Sequence, residues 1–293
     1  MTALRAQLCV SVDESHRTAV DTATRWFSEG FVLLGGLFRD AALTLPPDEL
    51  TTATRLSRAQ PGGVGVMLAV ANERPESVPY RPYSTEAWAD LLRALDGVPS
   101  LAALECSAND NVGGSGGPFL DLTLRRIGGA GTWLILEVLG SPEMLGAGPQ
   151  RSALLAFLRA AAEHANPVHG EVSWGKGLLP SVLEAALGTD PASTLPQGRR
   201  ELRGYAWLTV IPEEIGARLG GVRGLRASGA FVEVERLGGG GYWCRAAARL
   251  EDYDQAAADR VFDAVAAALP PGEPNPWRVD APNVLSCRAP ASR

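Results

Sequence analysis

Two alternating apolar runs, residues 119–127 and 132–139, are separated only by Gly128-Gly129-Ala130-Gly131. Alternation at period two gives each run one apolar face, and glycines supply the positive φ that a tight reversal demands. The pair is therefore expected to fold as an antiparallel hairpin. Gly238-Gly239-Gly240-Gly241 repeats the device between residues 231–237 and 242–250. Hairpins of this kind, interleaved with helical periodicity, point to an α+β protein with an antiparallel-rich sheet and helices packed on one face.

The remaining elements follow from caps and stripes. Residues 7–12 alternate as a strand, and Asp13 or Ser15 can cap a helix to about Glu29 with Val20, Ala23 and Phe27 on one face. Pro46-Pro47-Asp48-Glu49 opens a helix, and Pro61-Gly62-Gly63 precedes a buried strand at 64–70. Residues 72–83, rich in proline, form an irregular excursion. Ser84 then caps a helix with Trp88, Leu91, Leu92 and Leu95 inward. Further on come a helix carrying Leu154, Leu155, Leu158 and Ala162, a strand at 168–174, a helix at 178–187 and a strand at 203–210. Pro212, Glu213 and Glu214 suit a helix start, and a last helix runs from near Asp252 to Leu269, where Pro270-Pro271-Gly272 stops it. The polar, glycine-rich segment 109–117 is the expected linker between two loosely similar lobes, 1–112 and 118–293, which can also form one continuous domain.

Composition narrows the function. Hydrophobic residues are 46% and charged residues 20% of the chain, an ordinary globular balance. A net charge of −6 gives no electrostatic footprint for nucleic acid or anionic membranes. Of the 27 basic residues only Lys176 is a lysine, a bias of GC-rich, actinobacterial-like coding and not a sign of phosphate recognition. Cys9, Cys106, Cys244 and Cys287 are too scattered for a metal motif or an exported disulfide framework. Neither a signal peptide nor an apolar run near the ~20 residues of a membrane span is legible, so a cytoplasmic setting is expected.

Catalytic patterns are weak. Ser115 lies in a literal Gly-x-Ser-x-Gly, but its flanks are polar loop and not the strand and helix of a nucleophile elbow. His169-Gly170-Glu171 has the His-x-Glu of zinc deaminases without any Pro-Cys-x-x-Cys. His164 suits the C-terminal end of a helix, and Cys106 reads as a buried thiol, although partners for it could meet only in space. No catalytic residue, metal ligand or cofactor is expected. One surface feature stands out: Glu251, Asp252, Asp254, Asp259 and Asp263 crowd the last helix and its approach, where they form either a solvated face or a docking surface for a basic partner.

The order Arg203-Gly204, Trp207-Leu208-Thr209, Leu219-Gly220-Gly221, then Phe231, Tyr242 and Leu269-Pro270-Pro271-Gly272, resembles the C-terminal part of bacterial type VI secretion immunity proteins of the TsiV-like family, over residues 199–274. The resemblance implies a non-enzymatic, antitoxin-like protein whose partner is a cognate toxin effector, with a nuclease as the expected class. An enzyme or small-ligand binder with a pocket between the lobes is the alternative. Converging His164, His169, Glu171 and Cys106 would mark it. A subunit of a larger assembly is a third reading, marked by a large apolar patch.

Overall fold

The computed structural model describes residues 3–51, 63–73, 78–108, 117–146, 148–175, 180–275 and 287–291. Ser115, Lys176 and nearly all of the expected linker at 109–117 lie outside them. The strands are β1 (Ala3–Ser11), β2 (Val64–Ala71), β3 (Arg81–Pro82), β4 (Leu101–Ala108), β5 (Phe119–Gly129), β6 (Gly131–Gly140), β7 (His169–Gly175), β8 (Leu208–Ile211), β9 (Glu233–Arg236) and β10 (Tyr242–Arg245). The helices are α1 (His16–Leu34), α2 (Gly36–Thr44), α3 (Thr85–Ala94), α4 (Gly148–Glu163), α5 (Val182–Leu187), α6 (Pro191–Thr194), α7 (Glu213–Arg218), α8 (Gly221–Ala227) and α9 (Gln255–Val265).

All ten strands join one antiparallel sheet in the order β3-β2-β4-β5-β6-β1-β7-β8-β10-β9, so the protein is α+β. The β5–β6 hairpin forms as its glycines require, with Gly128 opposite Thr132 and Gly129 opposite Gly131. β1 lies between β6 and β7, so a strand from segment 1–112 is paired on both edges by strands of segment 118–293.

Strand alternation sorts the side chains. Leu4, Ala6, Leu8 and Val10 of β1 join Leu134, Leu136 and Val138 of β6 and Leu120, Leu122 and Leu124 of β5 in one cluster. The same cluster holds Trp26, Phe27 and Phe31 of α1 and Leu154, Phe157 and Leu158 of α4. Full burial of side chains this size contributes about 1.5–3 kcal/mol each. At the β8–β10 end the opposite face supplies Ile211, Tyr242 and Cys244 to a second cluster with Val261, Phe262 and Val265 of α9. A third, small cluster packs Leu195 against Cys9, Ile127, Trp133 and Ile135.

Several boundaries differ from expectation for local reasons. α1 continues past Glu29 to Leu34, until Gly36, at φ 45°, turns the chain into α2. α5 starts at Val182, fixed by a reciprocal capping box in which Ser181 and Glu184 satisfy each other's backbone N–H groups. The strand expected over 203–210 begins only at Leu208. Before it, Arg203 reaches back to Glu184, and the Ala206 N–H donates to Thr209 Oγ1 instead of to a neighbouring strand. The last helix opens at Gln255 because Asp254 caps it by accepting from the Ala257 N–H.

Candidate functional site

β1 reads Ala-Leu-Arg-Ala-Gln-Leu-Cys, and its even positions take the apolar cluster described above. Its odd positions, Arg5, Gln7 and Cys9, therefore point to the other side of the sheet. Glu137 on β6 and His169, Glu171 and Ser173 on β7 join them there by register, because Gln7 pairs with both Glu137 and Glu171, and Cys9 with His169. Segment 180–207 closes over this layer with Ser181, Glu184 and Arg203. All of these side chains are buried, and Gln7, Cys9, His169 and Glu171 are 0% exposed.

Most of the charges in the layer have close partners. Arg5 donates to Glu171 and, at 2.7 Å, to the Pro180 carbonyl, and Glu137 stands 3.9 Å away. Gln7 Nε2 donates to Glu137 at 3.4 Å, and His169 Nε2 lies 3.4 Å from Glu171 Oε2. Arg203 grips Glu184 through two parallel bonds of 2.7 Å, and its Nη1 is 2.7 Å from Cys9 Sγ. Such a planar fork is the strongest geometry available to a guanidinium and a carboxylate. Ser181 ties the ends together by donating to the Arg203 carbonyl at 2.6 Å.

The electrostatics follow this matching. Burial pushes the Glu171 carboxyl upward, but the Arg5 guanidinium and the His169 hydrogen bond more than offset it and hold the group down at about 2. Glu137, with Arg5 farther away, is raised because burial dominates. Burial also pushes the Cys9 thiol up to about 11 despite Arg203, so it stays protonated and a poor nucleophile at neutral pH. This layer therefore holds His, Cys and Glu side by side in a buried, ion-paired network. Two guanidiniums face three carboxylates in it, with Arg5 on Glu171 and Arg203 on Glu184.

The residues singled out from sequence fall in separate places. His169 and Glu171 meet in the buried layer. Cys106 lies in the apolar cluster on the opposite face of the sheet, and its thiol is raised well above its usual range by burial. His164 follows α4 and lines a cavity of about 120 Å³ between α1 and α4 with Thr18, Asp21, Thr22, Arg25, Ala160 and Ala161. Among the described residues, no group of three or more His, Cys, Asp or Glu is arranged to hold a metal ion.

The acidic residues of the last helix sit at the surface, and most are already engaged. Glu251 receives two hydrogen bonds from Arg151, which hold its carboxyl at about 2. Asp254 caps α9. Asp259 and Asp263 share Arg288, 3.8 and 3.5 Å away, and Arg288 also stacks 4.2 Å over Phe262. Asp252 is exposed in the preceding turn. Glu233 and Glu235 on β9 pair with Arg245 and Arg159.

Sequence reading missed Arg5, Gln7, Glu137, Glu184 and Arg203 as one unit. Their signal is parity, with single polar residues at alternate positions inside apolar strands, and a Ser-x-x-Glu cap.

A scan of protein-family profiles finds no match, and a search of curated proteins finds none either. Among solved structures the fold is similar to the Pseudomonas aeruginosa T6SS protein PA0821, with a TM-score of 0.56 and 18% identity over 92% of this chain and 73% of that one. A likeness at that identity speaks for the fold. No helix among the described residues is long and apolar enough to cross a membrane.

Proposed function

We propose that this chain is a non-enzymatic, immunity-like protein that binds a cognate toxin in the cytoplasm and blocks it by occlusion. The observation that carries the reading is the architecture it shares, over 92% of its length, with a protein of the type VI secretion system. The resemblance of residues 199–274 to secretion immunity proteins agrees with it. The enclosure of its titratable interior supports a passive role, because His169, Glu171 and Cys9 are 0% exposed. A nuclease toxin suits an inhibitor of net charge −6, since nucleases carry basic surfaces for phosphate.

Co-expression tests this. The polypeptide encoded by the adjacent gene should arrest a host when produced alone and spare it when produced with this chain. Purified together, the two should form a complex, and any DNA cleavage by the toxin should stop at stoichiometric ratio. Absence of both protection and complex formation rejects the proposal. Turnover of a small substrate that disappears in His169→Ala would replace it with the enzyme alternative.

A further inference from the structure

Segment 31–38 is apolar on every side. Phe31, Leu34 and Phe38 face the core, while Val32, Leu33 and Leu37 are 56%, 52% and 43% exposed. Leu43 and Leu45 extend the exposed series along α2. These five make up most of the large apolar side chains that the described residues leave exposed, the others being Tyr80 and Val232. Both helices carry charges elsewhere, so these exposed side chains form a local apolar patch at the α1–α2 junction, and contiguous patches of this kind mark interaction surfaces. The elbow that displays it is tightly turned. A Cβ on Gly35 would lie 2.3 Å from the Phe31 carbonyl oxygen, and Gly36 holds the left-handed turn.

The charges beside the elbow select its occupant. Glu29 and Asp40 are exposed on α1 and α2, and Glu143 is exposed next to Met144, whose methyl lies near Gly36. None of these three acids has an ion pair among the described residues, unlike the paired acids near α9. Of the described cations nearby, Arg25 lines the α1–α4 cavity and Arg39 lies close enough to Tyr83 to affect its phenol. An apolar centre whose acidic rim is unpaired among the described residues fits a protein surface that presents apolar anchors ringed by Lys or Arg. A second copy of this chain would bring the same acidic rim against itself.

We infer that the α1–α2 elbow, centred on Val32, Leu33 and Leu37 and flanked by Glu29 and Asp40, is the surface that grips a basic protein partner. This rests on the toxin-binding reading and gives it an address. The test uses the full chain, with the purified polypeptide encoded by the adjacent gene as probe. The double variant Leu33→Lys/Leu37→Lys should weaken binding by about tenfold or more and abolish protection, with an unchanged circular dichroism spectrum and melting curve. Glu29→Gln/Asp40→Asn should weaken binding at low salt and flatten its salt dependence, and Asp259→Asn/Asp263→Asn should do neither. Wild-type affinity in the leucine variant overturns the elbow while leaving the toxin reading intact. No binding by the wild-type chain removes both. A wild-type dimer in sedimentation that the leucine variant dissociates assigns the surface to self-association and also overturns the proposal.

Discussion

Glu171 accepts from Arg5 on one oxygen and meets His169 on the other, beneath complete burial. Its folded-state carboxyl lies at about 2, below the ~4.3 of an unfolded glutamate. The stability it contributes is therefore complete above pH ~4.3 and is lost as pH falls through about 2. Glu137, raised in the fold, acts in the opposite sense and blunts part of that loss. Glu171→Gln should cost about 3 kcal/mol at neutral pH by leaving Arg5 short of its closest counter-charge. It should also remove much of the decline in stability below pH ~4.3, measured by urea unfolding across the acid range. The acidic character of these positions was plain in the sequence, but their meeting was not. Arg5 and Glu171 stand 166 residues apart, and no local pattern predicts a register between strands that distant.

Elements with strong local chemistry were legible, and those set by distant partners were not. Ser84 caps α3, and the glycine hairpin between β5 and β6 closes where the alternation stops. By contrast, 203–207 reads as strand yet serves as a strap, because Arg203 spends its hydrogen bonds on Glu184. In segment 31–38 only the observed elbow separates inward side chains from outward ones. Close approach is just as hidden. Gly216 in α7 lies flat on Tyr242, where a Cβ would fall 2.1 Å from the ring. Gly216→Ala should therefore destabilise the protein by about 1–3 kcal/mol through overpacking. Gly97, where a Cβ meets nothing within 4 Å, supplies the control, and Gly97→Ala should be close to neutral in the same thermal melts.

At the scale of the molecule one sheet spans the chain, and β1 is its keystone, hydrogen-bonded to β6 on one edge and β7 on the other. Residues 118–293 expressed alone should therefore fail to give a cooperative melt, and adding a peptide of residues 3–11 should restore one in part. An independent, sharp transition from 118–293 alone would instead establish two lobes. The α+β class was readable from the hairpins, but the place of β1 was not, since any alternating strand could have occupied an edge. Its position also sets a schedule for biosynthesis. Arg5 contacts the Pro180 carbonyl, 175 residues later, so the central seam cannot zip while the ribosome is still translating the intervening message. Until β6 emerges β1 has neither neighbour, and until β7 follows one of its edges stays open, so nascent chains should lean on holdase chaperones longer than their size alone would suggest.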